Sequence, residues 1–359
     1  MTADRTTGSG KGRGPAAPNP ELYGLPFTVD DFAGMPYRRL GPSGLRVSTI
    51  GLGTWKFGYP ETGDGSRTGE AASLKILDRA FEEGLTFWDT ANRYNDSSGN
   101  SERVIGAWFA AHPGQRRSVE LATKVFGTMD GRTPNFCRLS RTNILEGVYA
   151  CLDRLRTDHI DLLQFHQFDP STPVEESLAA VEDLIARDLV RYFGVSNFTV
   201  EQIEACAAGA GSFPRARLLS VQNRFDILGG EEPGKAGVLE LCARRGLAFI
   251  PWSPLRGGLI SGRYLDREKA RPGDRLVDEK RLDGELTPVA LKKLRGLAEV
   301  AREGGWSVSQ LAIAYMLRMP GLGPVIAACS TPEQVSENAR AGRIALSDEQ
   351  AERLAGILG

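Results

Sequence analysis

From Ser48 onward the chain alternates two hydrophobic patterns. Short continuous apolar runs (STIGLGTW, LTFWD, VELATK, IDLLQFH, VRYFGVSN, LLSVQN, LAFIPWS and GPVIAACS) are separated by longer segments with apolar residues at helical spacing. A continuous apolar run bounded by turn residues reads as a strand buried on both faces, as in a parallel sheet. EAASLKILDRAFEEG places Leu74, Leu77, Ala80 and Phe81 on one helical face and stops at Gly84. LSRTNILEGVYACLDRLR does the same with Ile144, Val148, Cys151, Leu152 and Leu155. TPVEESLAAVEDLIARD opens on Thr-Pro with acidic residues in its first turn, the chemistry of a helix start. SERVIGAWFAAH, TVEQIEACAAG, GVLELCARRG, PVALKKLRGLAEVAREGG, SVSQLAIAYMLRM and TPEQVSENARA complete the helices, the last of these being the final one expected.

Eight strand–helix units of this kind predict an α/β fold, a single-domain (β/α)8 TIM barrel over residues 36–359. An open doubly wound sheet would need a glycine-rich phosphate loop after its first strand. GLGTW lacks the third glycine, and Trp55 stands where the chain would have to approach a pyrophosphate. Ahead of the barrel, YRRLGPSGLRVS predicts a β-hairpin around Gly-Pro-Ser-Gly. Residues 1–35 are rich in Gly, Pro, Ser and Thr and predict a flexible tail with no secretory leader. A polar stretch from Arg263 to Thr287 interrupts the rhythm.

Composition narrows the function classes. A net charge of −1 with 25% charged residues gives no electrostatic reason to bind nucleic acid or an anionic membrane. No apolar run approaches the roughly 18–20 residues of a membrane span. The five cysteines are scattered, without a C-x-x-C pair, which argues against disulfides and zinc and predicts a reducing cytoplasm.

Four successive strands end on a polar residue: Asp89, Lys124, His166 and the pair Ser196-Asn197. Taken singly, each has an ordinary reading: a helix cap, a lysine reaching water, a satisfied core histidine. In a parallel barrel, however, all strand C-termini share one face, where active sites form. Asp89 is no cap, because its helix starts a loop later near Ser101. A buried Lys124 would need an anion, and Asp89 on the neighbouring strand supplies one. Tyr94 lies on the loop after Asp89; beside Lys124 its hydroxyl pKa is expected to fall. His112 and His159, the other histidines, sit in a helix end and a turn. No G-x-S-x-G elbow, Cys beside His or metal-ligand spacing competes. An acid, a lysine and a carbonyl-polarising imidazole suit proton transfer coupled to hydride transfer from a bound cofactor.

These motifs resemble the aldo-keto reductase superfamily from about Met35 to the C-terminus. The resemblance is carried by RRLGPSGLRVSTIGLGTW, FWDTANRY with the later SERVIG, LATKV, DHIDLLQFHQFD, VRYFGVSNF, FIPWSPLRGGLISGRY and VIAACSTPEQVSENARA. It implies a (β/α)8 barrel that binds a nicotinamide cofactor without a Rossmann domain and reduces an aldehyde or ketone to an alcohol. By position, Tyr94 resembles the general acid, Lys124 and Asp89 the pair that lowers its pKa, and His166 the residue orienting the carbonyl. Thr54, Trp55 and Asp89 fall among cofactor contacts. Ser196 and Asn197, with Gln222 beside them, fall at the carboxamide, and Trp252 where a ring stacks on the nicotinamide. Ser253, Leu255, Gly257 and Leu259 fall on the pyrophosphate loop, and Ser330, Gln334, Glu337 and Asn338 on the adenosine side.

Two departures stand out. Ala327-Ala328 occupies a position where Pro-Gly is frequent, and Ser330 stands where many members place Arg or Lys against a 2′-phosphate. NADP(H) remains the expected cofactor, with NAD(H) the alternative, and the expected partner is a small-molecule carbonyl substrate. WFAAHPGQRRSVELATKVFGTM is also similar to members that reduce nucleotide-linked keto-deoxysugars. A cofactor-sensing channel β-subunit and an NAD-dependent sugar dehydrogenase are the alternatives. Substrate choice is expected to rest on the loops Tyr59–Gly69, Phe126–Leu139 and Arg263–Thr287.

Overall fold

The computed structural model describes residues 30–129 and 132–359. Eight parallel strands form the barrel: β1 (Ile50–Gly53), β2 (Phe87–Asp89), β3 (Glu120–Val125), β4 (Ile160–Phe165), β5 (Val190–Ser196), β6 (Leu218–Asp226), β7 (Ala248–Trp252) and β8 (Val325–Ala328). Each pairs with the next, and β8 returns to β1, with Ile326 opposite Gly51, to close the ring. The helices are α1 (Glu70–Glu82), α2 (Asn100–Ala111), α3 (Arg141–Leu155), α4 (Val174–Ala186), α5 (Val200–Gly209), α6 (Val238–Arg245), α7 (Pro288–Glu303), α8 (Val308–Met316), α9 (Pro332–Ala341) and α10 (Asp348–Leu358).

The sequence reading ended the fold at α9, so α10 corrects it. Its start signal was present: Ser347 caps the helix in a reciprocal box with Gln350. Its apolar face is thin, with Leu354 alone fully buried, which explains why periodicity did not reveal it. The polar stretch after β7 folds into short helical turns, including Arg275–Asp278 and Leu282–Glu285, rather than a single loop. The tail expected over residues 1–35 lies outside the described residues up to 29. Within its remainder, Asp31 and Phe32 already pair antiparallel with Pro36 and Met35, so regular structure begins before the expected boundary.

The hairpin forms as expected, with Met35–Arg39 antiparallel to Arg46–Ser48. It closes the floor of the barrel. Leu40 and Val47 from the hairpin join Phe87, Ala122, Leu162, Ala248, Ile250 and Ile326 in one apolar cluster. Space here is tight: a Cβ on Gly51 would lie 2.6 Å from Ile326 Cδ1. Strand side chains alternate between the inside and the helix layer. Trp88, Leu121, Leu163, Phe165, Phe193 and Val195 therefore face outward and pack with Ile76, Val104, Ile144 and Val148 of the helices. Two residues along from the floor, the inward positions become Asp89, Lys124, Gln164 and Gln222, all buried.

The same floor holds one misplaced acid. Glu120, at the start of β3, accepts from Thr86 Oγ1 at 2.6 Å, and Thr86 also bonds the Tyr37 hydroxyl at 2.6 Å. Burial first, then Asp161, pushes the Glu120 carboxyl from 4.5 up to about 7, against the lowering bond from Thr86. A folded-state pKa above the unfolded one means the fold binds the proton more tightly. The stabilisation is therefore complete below about pH 4.5 and is lost as pH rises through about 7. Glu120→Gln is expected to match the wild type at pH ~4 and to exceed its stability at pH ~8 by on the order of 2–3 kcal/mol, as measured by urea denaturation.

Candidate active site

Above the apolar floor, the barrel interior holds one ion pair. Lys124 Nζ lies 2.8 Å from Asp89 Oδ2, and both side chains are almost wholly buried. The ammonium also donates to Thr90 O at 2.8 Å and to the Tyr94 hydroxyl at 2.7 Å. Its three hydrogens thus have three acceptors. The second carboxylate oxygen of Asp89 accepts from Gln222 Nε2 at 2.7 Å and from Gln164 Nε2 at 3.3 Å. Gln222, expected beside the carboxamide, turns its amide nitrogen to Asp89 as the closer of that oxygen's two donors and also lines the cavity. Gln164 was not singled out in the sequence; its signal was an amide at an inward position between Leu162 and His166.

Tyr94 is presented by a turn rather than a strand. Asn95, Asp96 and Ser97 follow it in left-handed backbone, at φ of 56°, 55° and 63°. Asn and Asp tolerate that region best, and Asn95 Nδ2 anchors the turn to Phe57 O at 2.6 Å. The Tyr94 hydroxyl lies 3.3 Å from Asp89 Oδ2, and its ring is 5.8 Å from the His166 imidazole, edge to face. His166 is fixed through its backbone: its N–H donates to Val125 O, and Asn197 Nδ2 donates to its carbonyl, both at 3.0 Å. Trp252 Nε1 donates in turn to Asn197 Oδ1 at 3.3 Å.

The electrostatics correct one expectation. Tyr94 was expected to titrate low beside Lys124. Burial, followed by the adjacent Asp89 carboxylate, instead raises its hydroxyl well above 10. Asp89 cancels the field of the ammonium, so desolvation of the phenolate decides the direction. Burial likewise lowers Lys124, while Asp89 opposes the shift. Burial, then Lys124, then Arg93 hold His166 well below 6.5, so its imidazole is neutral at neutral pH.

A cavity of about 750 Å³ opens over these groups. Its wall includes Trp55, Asp89, Tyr94, His166, Ser196, Asn197, Gln222, Trp252, Ser253, Leu255 and Gly257, and it runs on to Ser330, Gln334, Glu337 and Asn338. The structure thus brings the sequence-predicted residues to one elongated cleft, with three exceptions. Lys124 lies beneath it. Thr54 is buried behind it, bonding Asp89 O at 2.9 Å and Ser101 Oγ at 2.8 Å, and Leu259 is wholly buried in the core. The wall's chemistry suits a dinucleotide: it offers polar side chains, the Trp252 ring and the left-handed glycines Gly257 and Gly258.

Sequence reasoning missed the cavity's cations. Lys56, Arg67, Arg93, Arg263 and Arg275 all line it. Arg275 stands over the Trp55 ring at 4.7 Å and Lys56 at 4.3 Å. Arg67, on the loop after β1, bonds Asp278 at 2.5 Å and Gly273 O at 2.9 Å, joining that loop to the one after β7. These positions lie in polar loops where pattern gives no register.

A closed parallel barrel with a buried lysine–carboxylate pair under a tyrosine, at the strand C-termini, defines the class of enzyme. The chain belongs to the aldo/keto reductase family, which it matches over residues 49–358, and is an oxidoreductase of the carbonyl-reducing type. It is 35% identical over 322 residues to YrpG, an uncharacterized oxidoreductase of Bacillus subtilis, covering 88% of this chain and 93% of that protein. It is 32% identical over 346 residues to the aldo-keto reductase AMT2 of Alternaria alternata, covering 89% of this chain and 90% of the relative. A probable voltage-gated potassium channel subunit beta of Arabidopsis thaliana is 30% identical over 311 residues, covering 86% and 91%. Among the described residues, no helix is long and apolar enough to cross a membrane, and no cluster of side chains could hold a metal ion.

The ion pair makes a stability prediction. Lys124→Met leaves the Asp89 carboxylate buried without its cation and is expected to cost about 3–5 kcal/mol in denaturant unfolding. Adding Asp89→Asn removes the stranded charge and should recover most of that loss.

Proposed function

We propose that this protein reduces an aldehyde or ketone to an alcohol with NADP(H), and that Tyr94 donates the proton. The reading is carried by one observation: the Tyr94 hydroxyl accepts a 2.7 Å hydrogen bond from a lysine that Asp89 neutralises, at the floor of the cavity. With its lone pair engaged by Lys124, the hydroxyl can turn its own hydrogen from the long 3.3 Å contact with Asp89 toward a substrate oxygen. A bound reduced nicotinamide dinucleotide supplies the hydride. The raised hydroxyl pKa favours this role, since a protonated phenol is the form that can donate as alkoxide character develops. Nδ1 of His166 is buried without a partner, and in the tautomer with its proton on Nε2 the neutral imidazole is a donor. Tyr94 and His166 then offer two donors to one carbonyl oxygen.

NADP(H) is favoured by the charges missing from the sequence reading. The serine at position 330 lacks the usual cation, yet Arg263 and Arg275 reach the same cavity from the stretch after β7. Trp252, Ser196 and Asn197 would hold the carboxamide end, and Ser330, Gln334 and Asn338 the adenosine end. Five free cysteines, four of them buried, suit a cytoplasmic setting. The relative named as a channel subunit supports a second reading, a cofactor sensor with little turnover.

Tyr94→Phe is expected to lower turnover by roughly 10²–10⁴-fold while cofactor affinity, followed by tryptophan fluorescence, stays nearly constant. Full activity in that variant would reject the assignment. NADPH should bind more tightly than NADH in the same titration; equal affinities would remove the NADP(H) preference. With His166 neutral and Tyr94 protonated, the reduction rate should show no inflection near the ordinary histidine pKa of about 6.5. Negligible multiple turnover on every aldehyde tried would instead favour the sensor.

A further inference from the structure

Among the cavity's arginines, Arg93 differs in having no counter-charge among the described residues. Arg67 is matched by Asp278, Arg263 by Asp274, and Arg275 by Glu279. Lys56 donates to Gly65 O at 2.9 Å. The Arg93 guanidinium, by contrast, has no hydrogen bond or ion pair among the described residues, and its side chain is exposed to the cavity. It lies at the reacting end: Arg93 immediately precedes Tyr94, and its charge reaches the His166 imidazole. Its path is also built. The stem crosses Gly127, where a Cβ would lie 2.6 Å from Arg93 Cδ and 2.9 Å from Nε. Glycine at 127 therefore clears the course along which the guanidinium extends.

We infer that Arg93 binds an oxyanion on the substrate, so that the protein's carbonyl substrates are small molecules carrying a carboxylate or phosphate. This rests on the carbonyl-reductase reading above. A guanidinium presents a planar fork of donors matched to either oxyanion. Attachment to the residue before Tyr94 ties the anion site and the proton donor to one turn, so the two substrate groups must lie close together. Opposite charge at the cavity mouth also speeds capture of such a substrate, an effect that salt weakens.

The test compares matched pairs: succinic semialdehyde with butanal, and glyceraldehyde 3-phosphate with glyceraldehyde. The wild type should favour the anionic member of at least one pair by about tenfold or more in kcat/KM, less so at high salt. Which pair shows it identifies carboxylate or phosphate. Arg93→Gln should raise KM for the anionic member by roughly 10–100-fold, the range of a charged hydrogen bond, and bring the pair ratio toward one. Gly127→Ala, which displaces the Arg93 stem, should lower the same ratio. Binding of succinate or inorganic phosphate to the wild type, read by calorimetry, should weaken in Arg93→Gln independently of turnover. A wild type indifferent to charge, or a preference that survives in Arg93→Gln, overturns the inference and leaves the reductase reading intact. Absence of reduction on every carbonyl, with oxyanion binding still dependent on Arg93, would instead overturn the reductase reading alone.

Discussion

Everything at the top of this barrel depends on keeping two opposite charges together where water does not reach. An ammonium or a carboxylate alone in that interior would cost several kcal/mol. Together, at 2.8 Å, they form a neutral unit that the surrounding strands can enclose. The neighbouring residues follow from that constraint. Thr90 O takes the second ammonium hydrogen, and Gln164 and Gln222 cover the far carboxylate oxygen. Thr54, with Ser101, braces the Asp89 backbone from behind. What is left over, one ammonium hydrogen, points at Tyr94. Tyr94 thus completes the ammonium's set of three acceptors.

The same pairing explains why the tyrosine stays protonated. A lone lysine beside it would favour phenolate; a lysine already matched by Asp89 does not. What the lysine does to the tyrosine is then geometric: its ammonium donates to the hydroxyl oxygen and fixes where that oxygen lies. Beneath this layer, the apolar plug of Leu40, Val47, Phe87, Leu162 and Ile326 keeps the polar layer at the mouth. The barrel is therefore divided along its axis, with packing below and reactivity above, by nothing more than alternate inward positions on the same strands.

Much of this was legible in the residues alone, and for identifiable reasons. Eight apolar runs with helical segments between them have one economical closure, and a polar residue ending successive runs marks the shared face. Asp89, Lys124 and His166 were readable because strand periodicity fixes where they point. Tyr94 was a candidate only by its nearness to Asp89 and Lys124 until the resemblance gave it a role, since a left-handed turn carries no periodic signal. Its pKa was misjudged because the expectation counted the cation at Lys124 without the carboxylate cancelling it. The terminal helix escaped because its apolar face is narrow, although Ser347 and Gln350 spelled its cap. Gln222 was placed by position beside the cofactor; that its amide nitrogen also bonds Asp89 was not legible, because the pairing crosses the barrel. The cavity's arginines were invisible for another reason: loops have no register, and only the folded chain brings Arg67 to Asp278.

That last contact has a mechanical consequence for the cleft. The loops after β1 and β7 are far apart in the chain but are joined across the cavity by Arg67, through Asp278 and Gly273 O. Neither is an independent module. An insertion that shifts Arg67 would break both contacts at once and free the loop after β7 along with its own. This part of the cleft wall is thus one mechanical unit drawn from two distant stretches of chain.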